Sequence, residues 1–235
     1  MRIIKEQTVY QLSFMANWFP VNCYFVEEEE SLTLIDAALS FSKNAILKAA
    51  AQIGKPINRI IITHAHTDHM GALDGLKASL PHAEILLPQR ELKLLNGDSS
   101  LEAGEGDLPV KGGVPRNSKT QPDVLLKEGD MVGSLIAIEA PGHTPGMMAF
   151  IDKRNQILIA SDALQTKGGV AVAGDLRWRF PFPTLATWDK ERAIATVEKL
   201  ASFNPSVIGV GHGDFLYEPE ALKRAILQAK KRVEG

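Results

Sequence analysis

The chain has 235 residues, 45% of them hydrophobic, enough to bury a sizeable core in one domain or two tightly packed halves. Its net charge of −2 gives no general attraction to nucleic acid or anionic membranes, and a single cysteine excludes an intramolecular disulfide. No apolar run approaches bilayer-spanning length and no signal-peptide pattern opens the sequence, so a cytoplasmic, membrane-free protein is expected.

Strands are expected over residues 3–12 and 21–27, joined by the loop Asn17-Trp18-Phe19-Pro20. Cys23 falls inside the second strand and reads as a packed thiol. The acids from Glu27 to Glu30 read as a solvated turn before a strand over 31–36. Residues 42–53 carry Ala45, Ile46, Ala49, Ala50 and Ile53 at helical spacing, with Gly54 as the stop. The apolar run Arg59-Ile60-Ile61-Ile62-Thr63 then leads into His64-Ala65-His66-Thr67-Asp68-His69. In an extended chain His64 and His66 project to the same side, while Asp68 and His69 fall where a helix begins. Imidazole and carboxylate are good donors to divalent metals, so this stretch reads as a metal site with ligands to spare for a second ion.

That helix is expected to run to about Leu80, ended by Pro81, and His82 reads as a solvated loop residue. A strand over 84–87 and a helix over 89–96, closed by Gly97, follow. Residues 98–123 lose all periodicity and read either as a lid or binding loop or as a surface insert. Strands return over 124–126 and 130–140, and a hairpin is expected over 147–151 and 156–160. His143 follows the run ending at Ala140, Asp162 ends the run from Gln156 to Ser161, and His212 ends the run from Ser206 to Gly211. Each repeats the placement of His64: a short apolar strand, a small or turn residue, then a donor.

Residues 166–187 form a second irregular stretch. Its Trp178, Phe180 and Phe182, with Trp188, Trp18 and Phe19, either pack this loop onto the core or wall a substrate cleft. Lys167, Arg177 and Arg179 are spread along it and read as solvated charges, the alternative being contact with one carboxylate or phosphate of a small substrate; they form no dense phosphate-binding stripe. Residues 189–203 form an amphipathic helix with Ala193, Ile194, Val197, Leu200 and Ala201 on one side, and 219–233 another, with Pro219 in its first turn. No linker or short-period repeat interrupts the chain, so residues 1–235 are read as one domain.

The His-x-His-x-Asp-His motif, the later Gly-His, the Asp after a strand and the final Gly-His resemble the metallo-β-lactamase superfamily, in its dinuclear hydrolase branch, from about Val21 to His212. The resemblance implies an α/β (α+β) fold, an αββα four-layer sandwich of two mixed sheets flanked by helices, with metals at one sheet edge. It implies His64, His66 and His143 on one ion, Asp68, His69 and His212 on the other, and Asp162 bridging both. It also implies that Asp36 supports the metal-binding loop through hydrogen bonds; the alternative is a helix cap before Ala37-Ala38.

Two divalent ions roughly 3.5–4 Å apart hold a bridging hydroxide at neutral pH, with no separate nucleophile needed. Asp68 is placed to orient it and shuttle its proton. Zinc suits these donors, and iron or manganese accept them too. The true β-lactamases of the resembled family usually carry Cys or Ser where this chain has Asp162. The pattern is closer to lactonases, hydroxyacylglutathione thioesterases and phosphodiesterases, and a small ester, lactone or thioester is the expected substrate, with no nucleic-acid partner. Gln165 stands where the lactonases carry Tyr, and the glutathione-binding and RNA-gripping regions of the other groups have no match here. Persulfide dioxygenases, with one iron on two histidines and an acid, are the alternative enzyme class, and a catalytically dead binding module a third. The presence of all seven donors weighs against both.

Overall fold

The computed structural model describes residues 1–115 and 118–234. One sheet contains β1 (Arg2–Glu6), β2 (Val9–Phe14), β3 (Val21–Glu27), β4 (Leu32–Ile35), β5 (Ile57–Ile61), β6 (Glu84–Pro88) and β7 (Val124–Leu126), side by side in chain order. It is antiparallel from β1 to β4 and parallel from β4 to β7. In the other sheet β8 (Met131–Val132), β9 (Leu135–Glu139), β10 (Met148–Asp152), β11 (Ile157–Gln165) and β12 (Ala171–Val172) are antiparallel neighbours. The last strand, β13 (Val207–His212), joins β11 in parallel.

Successive strand residues point to opposite faces, and here both faces are buried, which is why the strands read as unbroken apolar runs. Phe25, Leu34 and Ile60 pack outward beneath helices α1 (Lys43–Ile53), α2 (Thr67–Met70), α3 (Leu73–Ser79) and α4 (Glu91–Leu95). Their neighbours Tyr24, Val26, Ile35 and Ile61 point inward and meet Leu135, Ala137, Phe150, Ile157 and Ile159 of the second sheet. The outer face of that sheet, with Ile138, Ile151, Leu158 and Ile208, lies under α6 (Lys190–Ser202) and α7 (Pro219–Glu234). Three apolar layers between four structural layers make the αββα sandwich.

Several local expectations are corrected. The stretch 3–12 is a hairpin, not one strand: Gln7 turns the chain with φ +48° and no glycine. The helix expected from the metal motif to Leu80 breaks after Met70, because Gly71 lies against the 38–40 backbone and donates to Ala38 O. A Cβ there would sit 2.7 Å from Ser40 N. The strand expected to end before Asp162 continues to Gln165 through an irregularity at Ser161, whose φ is +47°. The irregular 166–187 stretch contains β12 and a short helix, α5 (Phe182–Ala186).

The described residues of 98–123 hold no helix or strand but are pinned down; 116 and 117 lie outside the described residues. Glu105 takes two hydrogen bonds from Arg90, Arg192 donates to Gly104 O, and the buried Trp188 donates from Nε1 to Leu108 O at 2.7 Å. Asp74 accepts from the backbone of Lys119 and Thr120.

Candidate metal centre

All seven sequence-predicted donors converge at one edge of the sandwich. His64 and His66 leave the end of β5, Asp68 and His69 lie in α2, and His143 lies in the β9–β10 loop. Asp162 sits one residue past the irregularity in β11, and His212 closes β13. The five histidines and Asp162 are all buried, with at most 3% exposure, whereas the Asp68 side chain is 27% exposed. Asp68 therefore marks the route to solvent. His82 is an exposed residue apart from the site, as expected.

The donor atoms fall into overlapping groups of three: His64, His66 and His143; His64, His69 and Asp162; Asp68, His69 and His212. Asp162 joins them. Its Oδ2 lies 3.3 Å from His143 Nε2 and 3.2 Å from His212 Nε2, and its Oδ1 lies 3.3 Å from His69 Nε2. His66 Nδ1 is 3.0 Å from His143 Nε2, and Asp68 Oδ2 is 3.6 Å from His212 Nε2. Four ligands about 2.0–2.1 Å from a tetrahedral zinc stand about 3.3 Å from one another, so these separations fit shared coordination. His64 Nε2, His69 Nε2 and Asp162 Oδ1 are buried without a hydrogen-bond partner. Such atoms cost about 1–3 kcal/mol each if left unpaired, and a cation among them removes the penalty. The residues present fit a metal centre.

The far nitrogen of each of the five site histidines is held. His64 Nδ1 meets Thr63 Oγ1 at 3.0 Å, His66 Nε2 donates to Lys111 O at 2.9 Å, and His69 Nδ1 donates to Asp36 Oδ2 at 2.8 Å. His143 Nδ1 meets Thr187 Oγ1 at 3.1 Å, and His212 Nδ1 donates to Pro20 O at 2.7 Å. These partners fix ring orientation and tautomer, so one nitrogen of each ring faces the centre: Nδ1 of His66 and Nε2 of the others.

Three buried polar clusters fix the loops. Asp36, at φ +62°, accepts from Thr63 N at 2.8 Å and from Thr63 Oγ1 while holding His69; it supports the metal loop and caps no helix. Asn22 donates to Val210 O and Gly213 O, and Tyr24 OH to Val210 O, steadying the end of β13 beneath His212. Glu91 accepts from Ala65 N, Thr144 Oγ1 and Gly146 N. Sequence reasoning missed Glu91, Asn22 and the Lys111 and Pro20 carbonyls. The one available signal was that Glu91 shares a helical face with Leu94 and Leu95, and all three are buried.

Burial and crowding set the charges. Burial, aided by neighbouring imidazoles, keeps His64 well below the usual histidine pKa, and burial lowers His66 and brings His143 to about 3. These rings stay neutral, the form that binds metal. Burial also works against charge on His69 and His212, but the carboxylates beside them prevail and raise both. Burial opposes the Asp162 charge too, and the surrounding imidazoles overcome it, holding this carboxyl well below its ordinary range.

Two glycines admit the close packing. Gly112, with φ +89°, carries the loop across His66; a Cβ would lie 2.5 Å from Cε1 and nearer still to Nε2. A Cβ on Gly211 would overlap Asp162 Oδ1 and come within 3.0 Å of His69 Cε1.

The six candidate cleft aromatics separate. Phe19, Phe180 and Phe182 form a mutual cluster, with ring centroids 4.8–5.3 Å apart, and Phe19 and Phe180 lie 5.6 and 5.4 Å from the His212 ring. Phe182 is half-exposed, so this wall reaches solvent beside the centre. Trp188 is buried under the 98–123 loop, Trp178 borders a groove along α7, and Trp18 is 84% exposed.

Residues 16–212 match the family model of the metallo-beta-lactamase superfamily, and the chain belongs to that family. It is 52% identical over 232 residues to the uncharacterized protein YobT of Bacillus subtilis, covering 98% of this chain and 100% of that one. It is 29% identical over 216 residues to "Probable metallo-hydrolase YflN" of the same organism, covering 82% of this chain and 80% of that one. Among solved structures, a metallo-beta-lactamase from Pontibacter korlensis superposes with a TM-score of 0.73 over 97% of this chain and 98% of that one. At 15% identity that likeness establishes the metallo-β-lactamase fold alone.

Proposed function

We propose that the protein is a hydrolase with two divalent ions, zinc in the first place, acting on a small ester, lactone or thioester. One observation carries the reading: the Asp162 carboxylate lies within 3.2–3.3 Å of imidazole nitrogens from both histidine groups, His143 on one side and His69 and His212 on the other. His64, His66 and His143 would hold one ion, Asp68, His69 and His212 the other, and Asp162 both. Bound there, the ions supply an activated water at neutral pH and polarise the carbonyl of the substrate.

The chain supplies the rest. Asp68, the one donor open to solvent, accepts the proton of the attacking water and returns it to the leaving group. The carboxylates and anchored rings are already in place, so little reorganisation accompanies reaction. Phe19 and Phe182 present an apolar surface beside His212, which favours an uncharged acyl or leaving group. Of the cations along this loop, Lys167 donates to Asn17 O and Arg177 binds Asp175, Val170 O and Gln228, while Arg179 is exposed, so no cluster of free cations lines it. That favours acyl substrates over phosphodiesters.

A panel of lactones, aryl esters, thioesters, a β-lactam and a phosphodiester tests this on zinc-loaded protein. Acyl substrates are expected to turn over fastest. A phosphodiester cleaved much faster than every acyl compound overturns the substrate class.

A further inference from the structure

Glu91 is wholly buried, and its carboxylate touches neither the proposed ions nor the solvent. Its Oε2 accepts from Ala65 N at 2.7 Å, and Ala65 is the residue between His64 and His66. Its Oε1 accepts from Thr144 Oγ1 at 2.7 Å and from Gly146 N at 2.8 Å, just after His143. The neighbouring Arg90 hydrogen-bonds to Glu105, so the Glu91 oxygens stay with the two loops. The loop carrying His143 is also seated tightly on this turn: a Cβ on Gly146 would lie 2.6 Å from Arg90 Cβ and 2.9 Å from Glu91 N.

The two loops that Glu91 joins come from different sheets. His64 and His66 leave the seven-stranded sheet, and His143 leaves the six-stranded one. Each histidine ligand has its own anchor, but none of these anchors ties the His64–His66 loop to the His143 loop. Among the described hydrogen bonds, Glu91 is the side chain that accepts from both loops at once. We propose that Glu91 is the positioning residue of the three-histidine metal position, setting the distance between His64/His66 and His143 across the two sheets. Coordination tolerates displacements of only about 0.5 Å, so a slackened clamp acts on that position first. The other position is built from Asp68, His69 and His212, whose supports Glu91 does not touch: Asp36 holds His69, as well as Thr63 beside His64, and the Asn22–Tyr24 pair steadies the strand end at His212.

This inference rests on the two-metal reading above, and its test separates the two. In Glu91→Gln the amide oxygen keeps the Thr144 and Gly146 bonds, while its NH2 faces the Ala65 N–H, donor against donor. Zinc is titrated into metal-free wild type and variant with a chromophoric chelator, and Co(II) absorption spectra are recorded for both. The expected result is a loss of about 10- to 100-fold in affinity for one of two ions, with the other within about threefold, and an altered Co(II) spectrum. Thr144→Val should weaken the same ion to a smaller degree, and Thr144→Ser should restore it. These two remain informative if Glu91→Gln fails to fold. Wild-type affinity for both ions in Glu91→Gln overturns the assignment, as does an equal loss at both positions. If wild type itself takes up no second ion, the two-metal reading fails and this assignment with it.

Discussion

Gly112→Ala tests whether the irregular 98–123 segment is part of the centre. The loop crosses His66 so closely that Lys111 O accepts from His66 Nε2 at 2.9 Å. An alanine Cβ would lie 2.5 Å from His66 Cε1, where ordinary contact begins about 3.4 Å, so loop or ring must shift by roughly 1 Å. That shift breaks the hydrogen bond, worth about 1 kcal/mol. Holding alanine at φ +89° adds about 1 kcal/mol of backbone strain. Only the first cost bears on metal binding directly, with the displaced ring adding to it, so zinc affinity should fall about 10- to 30-fold. Gly106→Ala is the control: at φ +80° it has the same strain, but its Cβ meets nothing within 4 Å. Chelator competition measures affinity, and thermal melting of the metal-free proteins measures strain. Gly112→Ala should lose about 1 kcal/mol more stability than Gly106→Ala, from the broken hydrogen bond, and only Gly112→Ala should lose zinc. Equal zinc affinity in the two would refute the role of this loop.

Three further outcomes are expected. Asp68→Asn should keep the fold and, measured at saturating zinc, lower kcat far more than it raises KM, since an amide cannot accept the proton; wild-type turnover in the metal-replete variant removes Asp68 from the chemistry. Phe19→Ala and Phe182→Ala should change selectivity among acyl substrates without changing metal content, whereas Trp178→Ala should do neither; the reverse pattern moves the substrate surface to the α7 groove. Metal-free protein should lose stability as pH falls from 7 to 4.5: folded His143 protonates only near 3 because of burial, while an unfolded histidine titrates near 6.5. The unfolded chain then binds more protons, so stability falls on acidification, by about 3 kcal/mol at pH 4.5 from His143 alone. His64 and His66 are shifted in the same direction, while His69 and His212, raised by the carboxylates beside them, and Glu91, raised by burial, offset part of the loss. A melting temperature that rises over this interval contradicts the burial argument.

The donors were legible in the sequence because coordination demands residue type as well as place: His64, His143 and His212 each follow an apolar run that had to be a buried strand. The sandwich came from the family resemblance; continuous runs such as Ile60-Ile61-Ile62 showed by themselves only that the strands are covered on both faces. What holds the donors was less legible. Asp36 could be named because the family resemblance implies a supporting acid at the end of that strand, but Glu91 matters through which loops meet across two sheets, and Lys111 and Pro20 act through carbonyls that every residue possesses. The turn at Gln7 lacks the glycine that marks such bends, and the helix break at Gly71 follows from contact with residues 38–40. The aromatic wall was legible as composition only; Phe19, Phe180 and Phe182 meet, while Trp178 and Trp188, close to them in sequence, point elsewhere.

Metal content is the most direct test of the account. Protein produced in zinc- and iron-supplemented media is analysed for elements per chain, together with oxygen uptake in the presence of thiol substrates. Two ions per chain, reduced in His66→Ala and in His212→Ala, without oxygen uptake, is the predicted result. One iron per chain with oxygen-dependent thiol oxidation would contradict it.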